Sequence, residues 1–157
     1  MKTIPLVLSS VTRVATTAAL WLLATLSDLQ AAGRETVLEV IRNLENPRNL
    51  SRPGPRGELG PYQFRVDTWR MHSTAPFSRA LDRGAAEEVA VRHYEWIRRG
   101  LEKAGMTASP YNVALAWNGG LAATVGGRAP RAAHRYAERA ANLASVLGGE
   151  GTLAAAR

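Results

Sequence analysis

The first apolar stripe of the chain lies between Arg34 and Glu45. Apolar residues recur there at spacings of three and four, the period of one face of an amphipathic helix: Val37, Leu38, Ile41 and Leu44. Glu45 continues this stripe, so we expect it on the buried side of the helix. Asn46-Pro47 ends the helix, because proline disfavours the helical conformation of the residue before it.

Helical spacing and helix-boundary residues continue through the rest of the chain. We expect helices at about residues 63–72, from a cap at Ser78 or Asp82 to about Ala104, at 111–117 and at 130–147, with a long loop at 46–60. Two of these helices carry apolar stripes: Ala86, Val89, His93, Trp96, Ile97 and Leu101, then Ala133, Tyr136, Ala140, Leu143 and Leu147. No segment alternates as a strand does. The pattern predicts an all-α fold with one domain at residues 33–147, containing a cleft, and a loose tail at 148–157.

The N-terminal segment has the character of an export signal. Lys2 and Arg13 are the only charges before Asp28, and the apolar run at residues 14–26 is short for a membrane span. We therefore predict a signal peptide at residues 1–32, cut after Ala31 or Ala32, and a periplasmic or extracellular protein. The alternative is an uncleaved segment that tethers the protein to a membrane.

The composition of the chain limits the kinds of ligand and partner that it can bind. The chain has no cysteine, which excludes disulfides and thiolate metal sites, and its formal charge is +7. Removing residues 1–32 takes away Lys2, Arg13 and Asp28, which leaves +6 and favours anionic partners. Aromatic residues are too sparse to suggest nucleic-acid binding. The three histidines are far apart in the sequence without metal-ligand spacing, so we expect neither a metal nor a cofactor: His72, His93 and His134.

Glu45 is the candidate catalytic acid. Partial burial and the negative end of the helix dipole both disfavour its carboxylate, which predicts a raised pKa. A carboxylic acid that keeps its proton near neutral pH is suited to general-acid catalysis. The alternative is an ordinary glutamate at a helix end, paired with Arg42, Arg48 or Arg52.

Later motifs follow Glu45 in an order typical of one family. Gly57-Glu58-Leu59-Gly60-Pro61-Tyr62-Gln63 comes first, then Ala116-Trp117-Asn118-Gly119-Gly120, and then Tyr136. This arrangement resembles the soluble lytic transglycosylases and the goose-type lysozymes, which share Glu-Ser, Gly-x-x-Gly-Leu-Met-Gln, Ala-Tyr-Asn-Ala-Gly and a late tyrosine. Asn46, Pro61-Tyr62 and Trp117 depart from those signatures. The resemblance covers about residues 37–143 and implies a lysozyme-like fold.

The resemblance also implies roles for individual residues. Glu45 would act as general acid and then base, Gln63 and Asn118 would bind acetamido groups or the reacting centre, and Tyr136 would orient Glu45. Among the departures, Tyr62 and Trp117 keep flat surfaces that could stack on sugars, and Asn46 could still donate a hydrogen bond toward substrate or Glu45. Glu58 and Asp67 are the candidates for a second carboxylate. Blander interpretations remain open: an ion pair of Glu58 with Arg52 or Arg56, a helix stop at Asn118, and core packing of Tyr136.

These expectations combine into one leading function. The resemblance implies a monomeric lytic transglycosylase that cleaves the bond between N-acetylmuramic acid and N-acetylglucosamine in peptidoglycan and leaves a 1,6-anhydro end. That route needs no second carboxylate, whereas a hydrolytic lysozyme usually does. The alternatives are such a lysozyme, or a non-catalytic wall-binding or secretion accessory protein on the same fold.

Overall fold

A computed structural model of the chain describes the backbone of residues 30–155 and the side chains of residues 30–148. The chain divides into two units, Met1–Gly33 and Arg34–Arg157. The predicted signal peptide therefore lies outside the described residues, except for residues 30–32. Among the described residues, no helix combines the length and the apolar character needed to cross a membrane.

The described part of the chain is all-α, as predicted. Helix α1 occupies residues 30–45. Five α-helices and one 3-10 helix follow it: α2 at Val66–His72, the 3-10 helix at Phe77–Leu81, α3 at Arg83–Lys103, α4 at Pro110–Gly119, α5 at Leu121–Val125 and α6 at Arg131–Ala155. The extended pairing within the described residues is one isolated antiparallel bridge between Leu59 and Phe64.

Most predicted helix boundaries are confirmed, because they depend on local chemistry. Helix α1 ends at Glu45. The side chain of Asp82 accepts a hydrogen bond from the Ala85 N–H at the start of α3, and Ser109 accepts one from the Asn112 N–H at the start of α4. These side chains satisfy backbone donors that a helix start leaves without partners.

Two boundaries differ from the prediction, and one α-helix was not predicted. Helix α2 begins at Val66 and not at Gln63, because Gln63 has a φ of 47° and lies in the turn closed by the Leu59–Phe64 bridge. Helix α5 was not predicted. The backbone stays helical to Ala155, where the sequence predicts a loose tail from Gly148 onward. Continuing backbone hydrogen bonds outweigh the low helix propensity of the glycines there.

One part of the core joins α1, α2, α3 and α4. Its largest fully buried side chains include Trp69 and Ile97, together with Ile41 of α1. The predicted inward position of Trp96 is wrong, since 37% of this residue is exposed. Ala90 and Tyr94 are buried instead, which places Trp96 at the edge of the buried face of α3, with its ring stacked on His93.

A second part of the core lies between α4 and α6. Four alanines of α6 are buried there: Ala133, Ala137, Ala140 and Ala144. They pack with Leu115 of α4 and Val40 of α1. Leu143, predicted to face inward, is 42% exposed. The buried face of α6 follows positions 133, 137, 140 and 144, so Leu143 lies beside this face and not on it.

The loop at residues 46–60 is closed by the side chain of Asn46. Its Nδ2 donates to the carbonyl oxygens of Leu50 at 2.9 Å and of Gly60 at 3.2 Å, and its Oδ1 accepts from the Leu50 N–H at 2.9 Å. Asn46 is buried. Asn46 is therefore not free to donate to substrate or to Glu45 as expected, because both N–H groups of its amide already hold the loop.

Gly60 is the residue at which this loop meets the rest of the fold. Its φ is 76°, and a Cβ there would overlap the carbonyl oxygen of Ala80 in the 3-10 helix. Only glycine satisfies both conditions.

We expect Gly60→Ala to lower the free energy of unfolding by about 3 kcal/mol or more. The new Cβ would force the backbone at Ala80 to move, and the alanine itself would have a strained φ. Gly57 is a matched control with a φ of 78° and open space around the missing Cβ. Gly57→Ala should cost only about 1 kcal/mol, from the φ alone. Urea unfolding of both variants measures the difference, and equal losses would contradict the close contact at Gly60.

Candidate active site

Glu45 lies where two pockets meet. One pocket has a volume of about 610 Å³ and is lined mainly by the loop that follows α1. The other has a volume of about 190 Å³ and is lined by residues from that loop and from α2, α3 and α4. Glu45 and Gln63 line both pockets. We call the first the loop pocket and the second the inner pocket.

The pKa of the Glu45 carboxyl group is raised to near neutral. Burial raises its pKa from the ordinary value of 4.5 to about 7, and the negative charge of Glu58 acts in the same direction. A hydrogen-bonding interaction with Tyr136 opposes this shift but does not cancel it. The predicted rise of the pKa is confirmed, with burial as its main cause.

Tyr136 approaches Glu45 from helix α6. Burial raises the pKa of its hydroxyl, and the Glu45 carboxylate raises it further. Its oxygen is buried and makes no hydrogen bond within 3.5 Å among the described residues, although it lies near enough to Glu45 for each group to shift the pKa of the other. Tyr136 therefore stays neutral beside Glu45, and its ring also packs against the core between α4 and α6.

Gln63 is held at the junction of the pockets by its own turn. Its Nε2 donates to the Gly60 carbonyl oxygen at 2.8 Å, and its φ of 47° is unusual for a residue with a side chain. Gly54 packs closely against the side chains of Gln63 and Glu58. Because Nε2 of Gln63 is engaged with the Gly60 carbonyl oxygen, its side-chain oxygen is the group that can accept a hydrogen bond from a ligand.

Glu58 provides a second carboxylate in the inner pocket. Slight burial acts against its charge, but a hydrogen bond of 2.8 Å from the Arg56 N–H and the guanidinium groups of Arg56 and Arg65 outweigh it and lower the pKa of Glu58. No ion pair with Arg52 or Arg56 within 4.0 Å occurs in the described part of the chain. Two carboxyl groups with pKa values shifted in opposite directions thus line one pocket.

The remaining predicted site residues differ in exposure. Asn118 is exposed and Trp117 half-buried, and both line the inner pocket. Tyr62 is only 1% exposed and packs against Phe64 and Trp117, while its hydroxyl donates to Glu87 at 3.3 Å. Tyr62 lines the inner pocket, but its ring is enclosed and leaves no face free to stack on a sugar as expected.

A histidine pair that was not predicted from the sequence lies behind this site. His72 and His93 share a hydrogen bond of 2.9 Å although they are separated in the sequence. Burial lowers the pKa of His93 to about 3, with a smaller contribution from His72. His93 lines the inner pocket, and its ring lies 4.8 Å from that of Trp117. In the sequence, the only sign of His93 was its position on the apolar stripe of α3. That position predicted a residue of the core and did not predict that His93 lines a pocket.

The described residues contain no group of three or more histidine, cysteine, aspartate or glutamate side chains that could hold a metal ion. Asp67, the other candidate carboxylate, is exposed and lines neither pocket.

Comparisons of the chain with models of protein families, with curated proteins and with solved structures gave no match.

The Glu45 carboxyl group alone can carry out proton transfer in both directions. Near pH 7 the Glu45 carboxyl group is about half protonated, so it can both donate a proton and, once ionised, accept one. Gln63 and Asn118 can hydrogen-bond to a ligand on the adjoining walls. The site brings together Glu45, Gln63, Glu58, Trp117 and Asn118 on the inner pocket, with Tyr136 in contact with Glu45.

The raised pKa of Glu45 predicts a dependence of stability on pH. Between pH 4.5 and about 7 the folded protein keeps a proton that the unfolded chain has released, so this residue stabilises the fold less as the pH rises. A glutamine side chain cannot ionise and carries no such penalty. Glu45→Gln should therefore be more stable than the wild type at pH 8, by about 3 kcal/mol, and gain little at pH 4.

Urea unfolding at the two pH values measures this difference. Glu35→Gln is the matched control, because Glu35 is exposed on the same helix and should change stability little at either pH. An equal effect of Glu45→Gln at both pH values would contradict a raised pKa of the half-buried Glu45.

Proposed function

We propose that the protein is an exported, monomeric enzyme of lysozyme-like fold that cleaves the glycan strands of peptidoglycan as a lytic transglycosylase. The observation that carries this proposal is the Glu45 carboxyl group, with a pKa of about 7, at the junction of two pockets. A polymer bound across such a junction places sugars on both sides of the acid.

In the first step, Glu45 donates its proton to the glycosidic oxygen between N-acetylmuramic acid and N-acetylglucosamine. The bond from that oxygen to the anomeric carbon of muramic acid breaks, and the leaving sugar keeps the proton. The Glu45 carboxylate then removes the proton from the muramoyl 6-hydroxyl as this oxygen bonds to the anomeric carbon. The product is a 1,6-anhydro end, and Glu45 has recovered its proton.

Neighbouring residues have supporting roles in this proposal. Gln63 and Asn118 hydrogen-bond the acetamido groups, and the half-buried Trp117 contributes an apolar wall. Tyr136 keeps the Glu45 carboxyl group oriented through both proton transfers, since its own pKa is raised and it stays neutral. One carboxyl group therefore serves both transfers.

Glu58 supports a second candidate, hydrolysis of the same bond. Its carboxylate lines the inner pocket with Glu45 and stays ionised, as a base that activates water or a nucleophile would have to be. Inverting enzymes place two carboxyl groups about 6.5–9.5 Å apart, and retaining enzymes about 5–5.5 Å apart. The products separate the two routes, because only hydrolysis leaves a reducing end.

Digestion of purified sacculi tests the role of Glu45. We expect the wild type to release 1,6-anhydro muropeptides and Glu45→Gln to be about 10²- to 10⁴-fold slower, because the amide cannot supply the proton. Activity of the wild type should fall about tenfold per pH unit above about 7, as the acid loses its proton. Glu35→Gln is the control and should retain wild-type activity.

Sacculus binding without soluble products would indicate a non-catalytic wall protein, and equal activity of Glu45→Gln would contradict the proposal. The greater stability expected for this variant makes unfolding an inadequate explanation of its inactivity.

Glu58→Gln distinguishes transglycosylation from hydrolysis. We expect anhydro products to persist, and the decline of activity at high pH to begin at a lower pH, because the Glu58 charge helps to raise the pKa of Glu45. Glu138→Gln, at an exposed position of α6, is the charge-matched control. Loss of reducing-end products in Glu58→Gln, with no anhydro products in the wild type, would instead establish hydrolysis. Mass spectrometry of the released muropeptides provides the measurement.

A further inference from the structure

The loop pocket carries positive charge next to the acid. Arg48 and Arg52 line it, and both are exposed. Neither makes an ion pair or a side-chain hydrogen bond within the described part of the chain. Among the described lining residues, Glu45 is the only acid, and below about pH 7 it is mostly uncharged.

Two arginines of α3 show the contrast, because each pairs with glutamates of its own helix. Arg98 lies 2.8 Å from Glu95 and 2.7 Å from Glu102, and Arg92 lies 3.2 Å from Glu88. These partners follow helical spacing, which places opposite charges side by side. Arg48 and Arg52 have no such neighbour, so their charges remain available to a ligand.

The loop that presents these charges is constrained. The Asn46 amide holds both Leu50 and Gly60, and Gly54 accepts and donates backbone hydrogen bonds within the loop. Pro47, Pro53 and Pro55 line the same pocket, and each restricts its own backbone. The pocket is therefore a preformed cavity of about 610 Å³ with two free guanidinium groups.

We propose that the loop pocket binds a carboxylate carried by the glycan strand, and that Arg48 and Arg52 are its ligands. This inference rests on the proposed function and specifies its substrate as an anionic strand. Guanidinium groups form strong charge-assisted hydrogen bonds with carboxylates. Two sources supply that chemistry: the free lactyl group of a muramoyl residue without a peptide, and the side-chain or terminal carboxylates of a stem peptide.

Binding measurements with the full chain carrying Glu45→Gln test the inference without cleavage of the ligand. The probes are soluble peptide-bearing glycan strands, the same strands stripped of peptides by an amidase, and the neutral hexamer of N-acetylglucosamine. We expect the added pair Arg48→Gln and Arg52→Gln to weaken binding of an anionic strand roughly fivefold to tenfold. Affinity for the neutral hexamer should stay within about twofold, since no charge is involved.

Arg131→Gln with Arg135→Gln is the matched control, because it removes the same charge from exposed positions that line neither pocket. It should leave all three affinities unchanged. A loss on stripped strands identifies the lactyl carboxylate, and a loss confined to peptide-bearing strands identifies the stem peptide. Equal weakening for the neutral hexamer, no weakening of any probe, or the same loss in the control pair would overturn the inference.

The failure of this inference is distinct from failure of the proposed function. The double variant Arg48→Gln with Arg52→Gln can also be made in the chain that retains Glu45. If it digests sacculi like the wild type, and the binding assay shows no charge preference, only the proposed carboxylate site is refuted. If the wild type does not digest sacculi, the enzyme proposal fails, whatever the arginines bind.

Discussion

The hydrogen bond from the Asn46 amide to the Gly60 carbonyl oxygen is the constraint on which the site depends. Asn46 directly follows Glu45, and Gly60 begins the turn that ends with Gln63. Joining these two points brings residues that are distant in the sequence to the edge of the same cavities. The Gly60 carbonyl also accepts from the Gln63 side chain, so one oxygen connects the acid-bearing helix to the residue that faces it.

The site combines groups whose preferred environments differ. Burial keeps Glu45 protonated near neutral pH and keeps His93 uncharged, whereas backbone and guanidinium groups keep Glu58 ionised. Glu45 and His93 each cost stability when they are charged, and the two act in opposite directions as the pH changes. The fold thus tolerates a half-buried acid and a buried base in one region, because neither is charged there at moderately acidic pH.

Local chemistry explains what could be predicted from the sequence. The end of α1 at Glu45 follows from a proline, and the starts of α3 and α4 follow from Asp82 and Ser109, so each depends on residues within one turn. The enclosure of Tyr62, the engagement of Asn46 and the contact between His72 and His93 depend on residues from other elements, which no local pattern contains. The acid of the site was therefore predictable from its own helix, whereas the walls around it were not.

The row of buried alanines on α6 has an evolutionary consequence. Tyr136 lies on the same helix as Ala133 and Ala137, and these alanines set how closely α6 approaches α4 and α1. An alanine can only be replaced by a smaller residue or by one that pushes the helices apart. The separation of Tyr136 and Glu45 thus depends on small side chains that belong to neither residue, and substitution along this row would be more restricted than its plain side chains suggest.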